Sequence, residues 1–258
     1  MKIGASTLFG FGNKLENTLE TIEELGIEYA ELVHQYPDEE INSDMLESFN
    51  LKYTIHAPFM DVNIAAPGKS SRRNSISQVK NSIDLANEIN AEAVIVHPGL
   101  MAFLLRETPE KVYKTADSSI EELAKYSADL GVNTTIENMP DFEAMIYKDL
   151  NHLNETVEKY GLAMTLDIGH ANHVGISPDA MYFDSIKHIH IHDNLGDEDS
   201  HLALGEGSIQ LNDIVNNFES ENYDGIYIIE VNNEDSVKKS LKYLKNNFWN
   251  KMKVMIKL

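Results

Sequence analysis

Two hydrophobic patterns alternate along the chain. Short apolar runs recur at Lys2–Thr7, Tyr29–Val33, Tyr53–His56, Ala93–His97, Asn133–Glu137, Ala163–Asp167, Ile186–His192 and Gly225–Val231. Their length and near-continuous apolar character suit strands covered on both faces. Between them, Leu15–Leu25, Ser43–Phe49, Arg73–Ile89, Pro109–Leu130, Tyr147–Tyr160, Ile209–Phe218 and Asp235–Phe248 carry apolar residues at helical spacing. In Arg73–Ile89, for example, Ile76, Val79, Ile83, Ala86 and Ile89 share one face. Local signals mark the ends: Ser43 and Thr108 stand at N-cap positions, Pro109 at a first helical turn, and Gly26, Gly131 and Gly161 where helices close.

Strand-then-helix units repeated around eight strands predict a single-domain (β/α)8 TIM barrel of the α/β class over residues 1–258. Neither a Gly-x-Gly-x-x-Gly motif nor a P-loop occurs, so the open doubly wound alternative has no support. The tail Trp249–Leu258, with Met252, Val254, Met255, Ile256 and Leu258, is expected to pack under the barrel or against another subunit of a homo-oligomer.

Histidines change the picture from fold to chemistry. The stretch from Lys187 to Gly207 holds four of the ten in the chain. With a strand period of two, His188, His190 and His192 face one side and Ile189 and Ile191 the other. Lys187 falls on the face away from them, which argues against a Schiff-base role. At the ends of successive strands the polar residues are Glu31, His56, His97, Glu137, Asp167, His190 or His192, and Glu230. A barrel brings such positions to one mouth, the C-terminal face. Carboxylates crowded in one cavity repel and call for a cation.

Composition narrows which cation. There is no cysteine, which excludes disulfides and thiolate sites. His, Asp and Glu ligands favour zinc, manganese, magnesium, cobalt or ferrous iron over copper(I) and iron–sulfur clusters. The start Met-Lys-Ile-Gly-Ala-Ser has no secretory pattern and no window approaches 18 apolar residues, so a soluble, cytoplasmic protein is expected. A formal charge of −21, with arginines only at 72, 73 and 106, weighs against a nucleic-acid partner.

The motifs His56-Ala-Pro, His97-Pro-Gly, Glu137-Asn, Asp167-Ile-Gly-His170, His190-Ile-His-Asp193, Asp199-Ser-His201 before Leu-Gly-Glu-Gly, and Glu230 together resemble the xylose isomerase-like barrels. That family includes sugar isomerases and epimerases and the repair enzyme endonuclease IV. The resemblance implies a shared metal site at Glu137, Asp167, His190 and Glu230. His190 is preferred to His192 because Asp193 then falls three positions later, as the family spacing requires. The endonuclease-like ligands would add His56, His97, His170, Asp199 and His201, for one to three ions in all.

The expected function is a divalent-metal-dependent sugar or sugar-phosphate isomerase or epimerase acting on a small polyhydroxy substrate. Glu137 and Glu230 are the expected acid/base pair. His192, Asp193 and Arg72 are expected to touch substrate, with Lys69 and Arg73 beside Arg72 as candidates for a phosphate. Phe9, Phe11 and Phe59 are candidate walls of the pocket, and Glu206 a candidate loop holder. The alternatives are an endonuclease IV-like multinuclear zinc phosphodiester hydrolase and a metal-binding barrel without turnover.

Overall fold

The computed structural model describes residues 1–35 and 40–252, with side chains as far as Phe248. The tail expectation for Trp249–Leu258 therefore lies outside the described side chains. Eight strands close into one barrel: β1 (Lys2–Ser6), β2 (Tyr29–Val33), β3 (Lys52–His56), β4 (Val94–Val96), β5 (Thr134–Glu137), β6 (Ala163–Asp167), β7 (Ile186–Ile191) and β8 (Ile226–Ile229). Every neighbouring pair is parallel, and β1 pairs with both β2 and β8, so no edge remains. The helices are α1 (Leu15–Glu24), α2 (Ser43–Leu46), α3 (Lys69–Ile89), α4 (Pro109–Leu130), α5 (Leu150–Tyr160), α6 (Ile168–Val174), α7 (Leu211–Ser220) and α8 (Glu234–Met252).

Where boundaries depart from the hydrophobic pattern, side-chain caps or backbone turns account for it. The short α2 is capped by Asn42, whose side chain accepts from the Asp44 N–H, and not by Ser43. Helix α5 starts later than its pattern implies, because Tyr147 adopts a φ of 58° and Asp149 caps the helix by accepting from Asn151 and His152. Thr108 precedes Pro109 as expected, yet its side chain makes no capping bond. Helix α6 was not foreseen: its seven residues are too few to show a period, and its cap is the site residue Asp167, which accepts from the His170 N–H at 2.7 Å.

Apolar packing separates into two layers. The main core lies between the strands' outer faces and the helices, and it takes Leu166, Ile189 and Ile191. A small inner cluster of Tyr29, Ile226 and Ile228 fills the barrel interior towards the strand starts. Gly4 faces this cluster, and a Cβ there would overlap Ile228 and Tyr29. Higher in the barrel the fully buried residues are polar: Glu31, Thr54, Thr135, Thr165, His188 and His190. The Thr135 and Thr165 hydroxyls bond each other at 2.6 Å across β5 and β6. A polar interior needs partners for each of its groups, and their arrangement defines the site.

Candidate metal centre

Strand register delivers the ligands to one place. His56, Glu137 and Asp167 are the last residues of β3, β5 and β6; His97, Glu230 and His192 each follow directly after β4, β8 and β7. His190 is paired in register with Asp167 on one side and with Ile228 on the other. His170 comes from α6, and Asp199 and His201 from the loop between β7 and α7. His201 holds a φ of 47°, the left-handed region that a residue with a side chain rarely enters, as is common at functional positions.

Three adjoining groups result. In the central one, Glu137, Asp167, His190 and Glu230, all buried, bring ligand atoms within 4.8 Å of one another. Nδ1 of His190 lies 3.1 Å from Glu137 Oε1, 3.2 Å from Glu230 Oε2 and 3.8 Å from Asp167 Oδ2. The other oxygen of Glu137, Oε2, faces Nε2 of His56 at 3.3 Å and Nε2 of His97 at 3.2 Å. In the third group, Asp199 Oδ2 faces Nε2 of His170 at 3.2 Å and Nε2 of His201 at 3.3 Å, with His192 alongside.

Backbone carbonyls orient these imidazoles. Nδ1 of His56 donates to Ala57 O at 2.8 Å, Nδ1 of His170 to Asn138 O at 2.8 Å, and Nδ1 of His201 to Glu230 O at 3.0 Å. In the neutral ring the proton is then on Nδ1, and the Nε2 lone pair points at a carboxylate oxygen. Two acceptors facing at such distances repel unless a proton or a cation lies between them. Donating the second ring nitrogen to a backbone carbonyl is also how metal-bound histidines are held. The residues therefore fit a hard or borderline divalent ion.

The titration behaviour follows the same balance. Burial works against charge on His170, but Asp167, Asp199 and Glu137 outweigh it and lift the ring to about 10. His201 is likewise lifted to about 9 by Asp199 and Glu230 against burial, and His190 is raised by Glu230, Glu31 and Glu137. Burial would raise the Asp167 carboxyl, yet His170 and His192 hold it down at about 2. His97 and His188 go the other way: burial keeps both lowered despite Glu137 and Glu31, respectively.

A cavity of about 250 Å³ opens onto these groups. Glu137, Glu230, His97 and His201 are among its polar lining residues, and Leu8, Phe59, Met139, Pro140, Phe142 and Met145 its apolar ones. Among the described residues, none that lines it is Lys or Arg. A larger hollow of about 500 Å³ beside α2 and the start of β3 contains none of the ligand groups, so size alone does not locate the chemistry.

The description "Xylose isomerase-like TIM barrel" matches residues 19–247 of the chain. The chain belongs to that family. Within it, the uncharacterized protein MJ1614 of Methanocaldococcus jannaschii is 34% identical over 249 residues, covering 91% of this chain and 93% of that protein. Fructoselysine 3-epimerase of Shigella flexneri is 25% identical over 186 residues, which is 69% of this chain and 66% of the relative. Among solved structures, a D-tagatose 3-epimerase-like protein superposes with a TM-score of 0.89 at 28% identity, covering 98% of this chain and 100% of that one.

Three residues expected to touch substrate have close protein partners. His192 is fully buried and reaches Asp167, at 3.1 and 3.2 Å, and the third candidate ligand group. The Asp193 carboxylate is taken up by the backbone N–H groups of Asn194, Gly205 and Ile209, and fixes the loop after β7. Arg72 donates to the carbonyls of Ala66 and Pro67, which holds the chain entering α3 and leaves no guanidinium at the cavity. Nor do Lys69 and Arg73 line it.

Of the phenylalanines, Phe59 lines the cavity between the His56 and His97 rings, whereas Phe9 borders another hollow near α1 and Phe11 is exposed. Glu206 pairs with Lys239 at 2.6 Å, tying the loop to α8. Glu31 is not at the mouth but one layer beneath it, inside β2. In the sequence Asn138 entered only as the second residue of the Glu137-Asn motif, with no role of its own, and of the apolar lining only Phe59 was named; Met139, Pro140, Phe142 and Met145 come from an irregular segment with no period.

Proposed function

We propose that this chain is a divalent-metal-dependent epimerase or isomerase of a small, uncharged polyhydroxy carbonyl compound, with a central ion held by Glu137, Asp167, His190 and Glu230. The observation that carries the reading is the pair Glu137 and Glu230. Both carboxylates meet at His190 Nδ1, at 3.1 and 3.2 Å, and both line the cavity. They come from β5 and β8, three strands apart around the barrel, and so reach a bound substrate from different sides. When bound, a divalent ion there would polarise the oxygens of the substrate and make the adjacent carbon-bound proton more acidic.

The chain's own groups supply the rest. One carboxylate takes the carbon-bound proton and the other returns one, which inverts or relocates the centre. Phe59, Met139, Phe142 and Met145 exclude water from the apolar part of the lining. Absence of Lys and Arg from the lining favours an uncharged sugar over a sugar phosphate. Similarity to the fructoselysine and tagatose 3-epimerase-like relatives supports epimerisation of a sugar carbonyl compound.

A second reading, an endonuclease IV-like multinuclear hydrolase, is favoured by the two flanking ligand groups. The two readings part on Glu137. An ion held by Glu137, His56 and His97 would engage Glu137 as a ligand, whereas the epimerase reading uses Glu137 to move a proton. Incubating the metal-loaded protein with a panel of free ketoses in deuterated water, alongside an abasic DNA duplex at low salt, separates them. Deuterium at carbon in the recovered sugar supports the epimerase, and strand cleavage without exchange rejects it.

A further inference from the structure

Below the central group sits a buried carboxylate that the proposed reaction does not use. Glu31 is fully buried in β2. Its Oε2 accepts from Nε2 of His188 at 2.8 Å and from the Thr54 hydroxyl at 3.1 Å. Its Oε1 lies 3.1 Å from Nε2 of His190, whose opposite nitrogen faces Glu137 and Glu230. Among the described residues, no Lys or Arg is buried. A carboxylate with no fixed cation beside it is costly to bury, and one that is retained needs a partner to justify it.

We infer that Glu31 is the positioning residue of the metal centre, fixing His190 with its proton on Nε2 and its lone pair on Nδ1. Both ring edges face carboxylates, Nε2 towards Glu31 Oε1 and Nδ1 towards Glu137 Oε1, each at 3.1 Å. Once an ion among Glu137, Asp167 and Glu230 takes the Nδ1 lone pair, the single proton of the neutral ring lies on Nε2, against Glu31. His188 and Thr54 in turn aim Glu31: with Oε2 saturated by two donors, Oε1 is the oxygen left for His190. Carboxylate, histidine and metal in line is a recurring means of orienting a ligand and raising its basicity. The three residues sit on β2, β3 and β7, rigid strands of the closed barrel, which suits a positioning role.

The inference rests on the central group holding an ion, and the test separates the two. Zinc or manganese affinity of the parent, Glu230→Ala, Glu31→Ala and Glu31→Gln is measured by chelator competition, with ion counts by elemental analysis and folding by thermal unfolding of the stripped proteins. Glu31→Ala is expected to weaken one ion by about 10–100-fold. Glu31→Gln, whose amide oxygen still accepts from His190, is expected to recover most of that loss. If the parent holds no ion, or Glu230→Ala binds as the parent does, the metal reading itself fails. If Glu230→Ala loses the ion while Glu31→Ala keeps the parent's affinity, or if Glu31→Ala and Glu31→Gln lose it equally, the positioning role is overturned. An ion that survives Glu230→Ala but is lost with Glu31→Ala and His188→Ala would instead place the metal in the lower group of Glu31, His188 and His190, and would also overturn it.

Discussion

Asn138 clasps Asp167 by the backbone: its Nδ2 donates to Asp167 O at 3.0 Å and its Oδ1 accepts from Asp167 N–H at 2.8 Å. The two residues join the tops of β5 and β6, where a regular ladder would end, and hold Asp167 for its ligand and capping roles. Asn138→Ala leaves a buried N–H and a buried carbonyl without partners, at about 1–3 kcal/mol per unmet group. Urea unfolding of the stripped protein is expected to show a loss of about 2–4 kcal/mol. An unchanged midpoint would mean that the clasp is not what holds the two strand ends.

A second steric constraint sits in Asp167-Ile-Gly-His170. A Cβ on Gly169 would overlap the His192 ring, so the first turn of α6 packs on that imidazole only because residue 169 has no side chain. Gly169→Ala must displace His192 or the helix, and overpacking of this kind costs about 1–3 kcal/mol. A crystal structure of the variant is expected to show His192 turned from Asp167. Unmoved rings at parental stability would refute the argument.

The strands, and the residues that close them around the central candidate site, were legible in the sequence for a physical reason. Strands buried on both faces leave uninterrupted apolar runs, and a charged or imidazole residue closing such a run, as Glu137 and Asp167 do, stands out against them. The protein partners of the residues expected to contact substrate were not legible, because residue type does not report orientation. Asp193 follows the histidine strand and carries a carboxylate, but three backbone N–H groups reach it first. Arg72 is a cation near a helix start whose nearest acceptors are carbonyls of its own loop. Glu31 looked like a mouth residue because the strand ends were judged to within a residue or two, whereas one period of two along β2 decides between the mouth and the layer below it.

The metal-free chain should lose stability towards alkaline pH. Histidines ordinarily titrate near 6.5, and in the folded chain His170 is lifted to about 10 and His201 to about 9, in both cases by neighbouring carboxylates against burial. The folded state thus keeps protons that the unfolded chain has released. Their contribution is complete below about 6.5 and is lost as pH rises through about 9 and then about 10. Asp167 works in the opposite sense: its stabilisation is present above 3.8 and is lost as pH falls through about 2. Metal competes with protons for the same nitrogens, so affinity rises with pH. Thermal unfolding at pH 6 and pH 9.5 is expected to rank the stripped protein as more stable at the lower value and zinc stabilisation as larger at the higher. A stripped protein equally stable at both would show that the imidazole–carboxylate pairs do not hold protons.

The final prediction weighs Glu137 against His97. Both line the cavity, and their side chains meet at 3.2 Å, so a structural view alone would rank them together. Under the epimerase reading they differ. Glu137 moves the proton and also ligates the ion, and Glu137→Gln should reduce solvent-deuterium exchange into the substrate by about 10²–10⁴-fold, the usual contribution of positioned proton transfer. His97 lies outside the central group, and its ring, kept neutral by burial, reaches that group only through Glu137 Oε2 while packing on Phe59 and His56. His97→Ala should therefore leave the central ion bound and cost less than about tenfold, within what is expected from loss of one hydrogen bond to a charged group. Under the hydrolase reading His97 is itself a ligand, and its removal should lose an ion and abolish turnover. Ion counts and exchange rates for the two variants, measured side by side, decide it: loss of an ion from His97→Ala together with a collapse in rate as deep as that of Glu137→Gln would reject single-ion proton transfer.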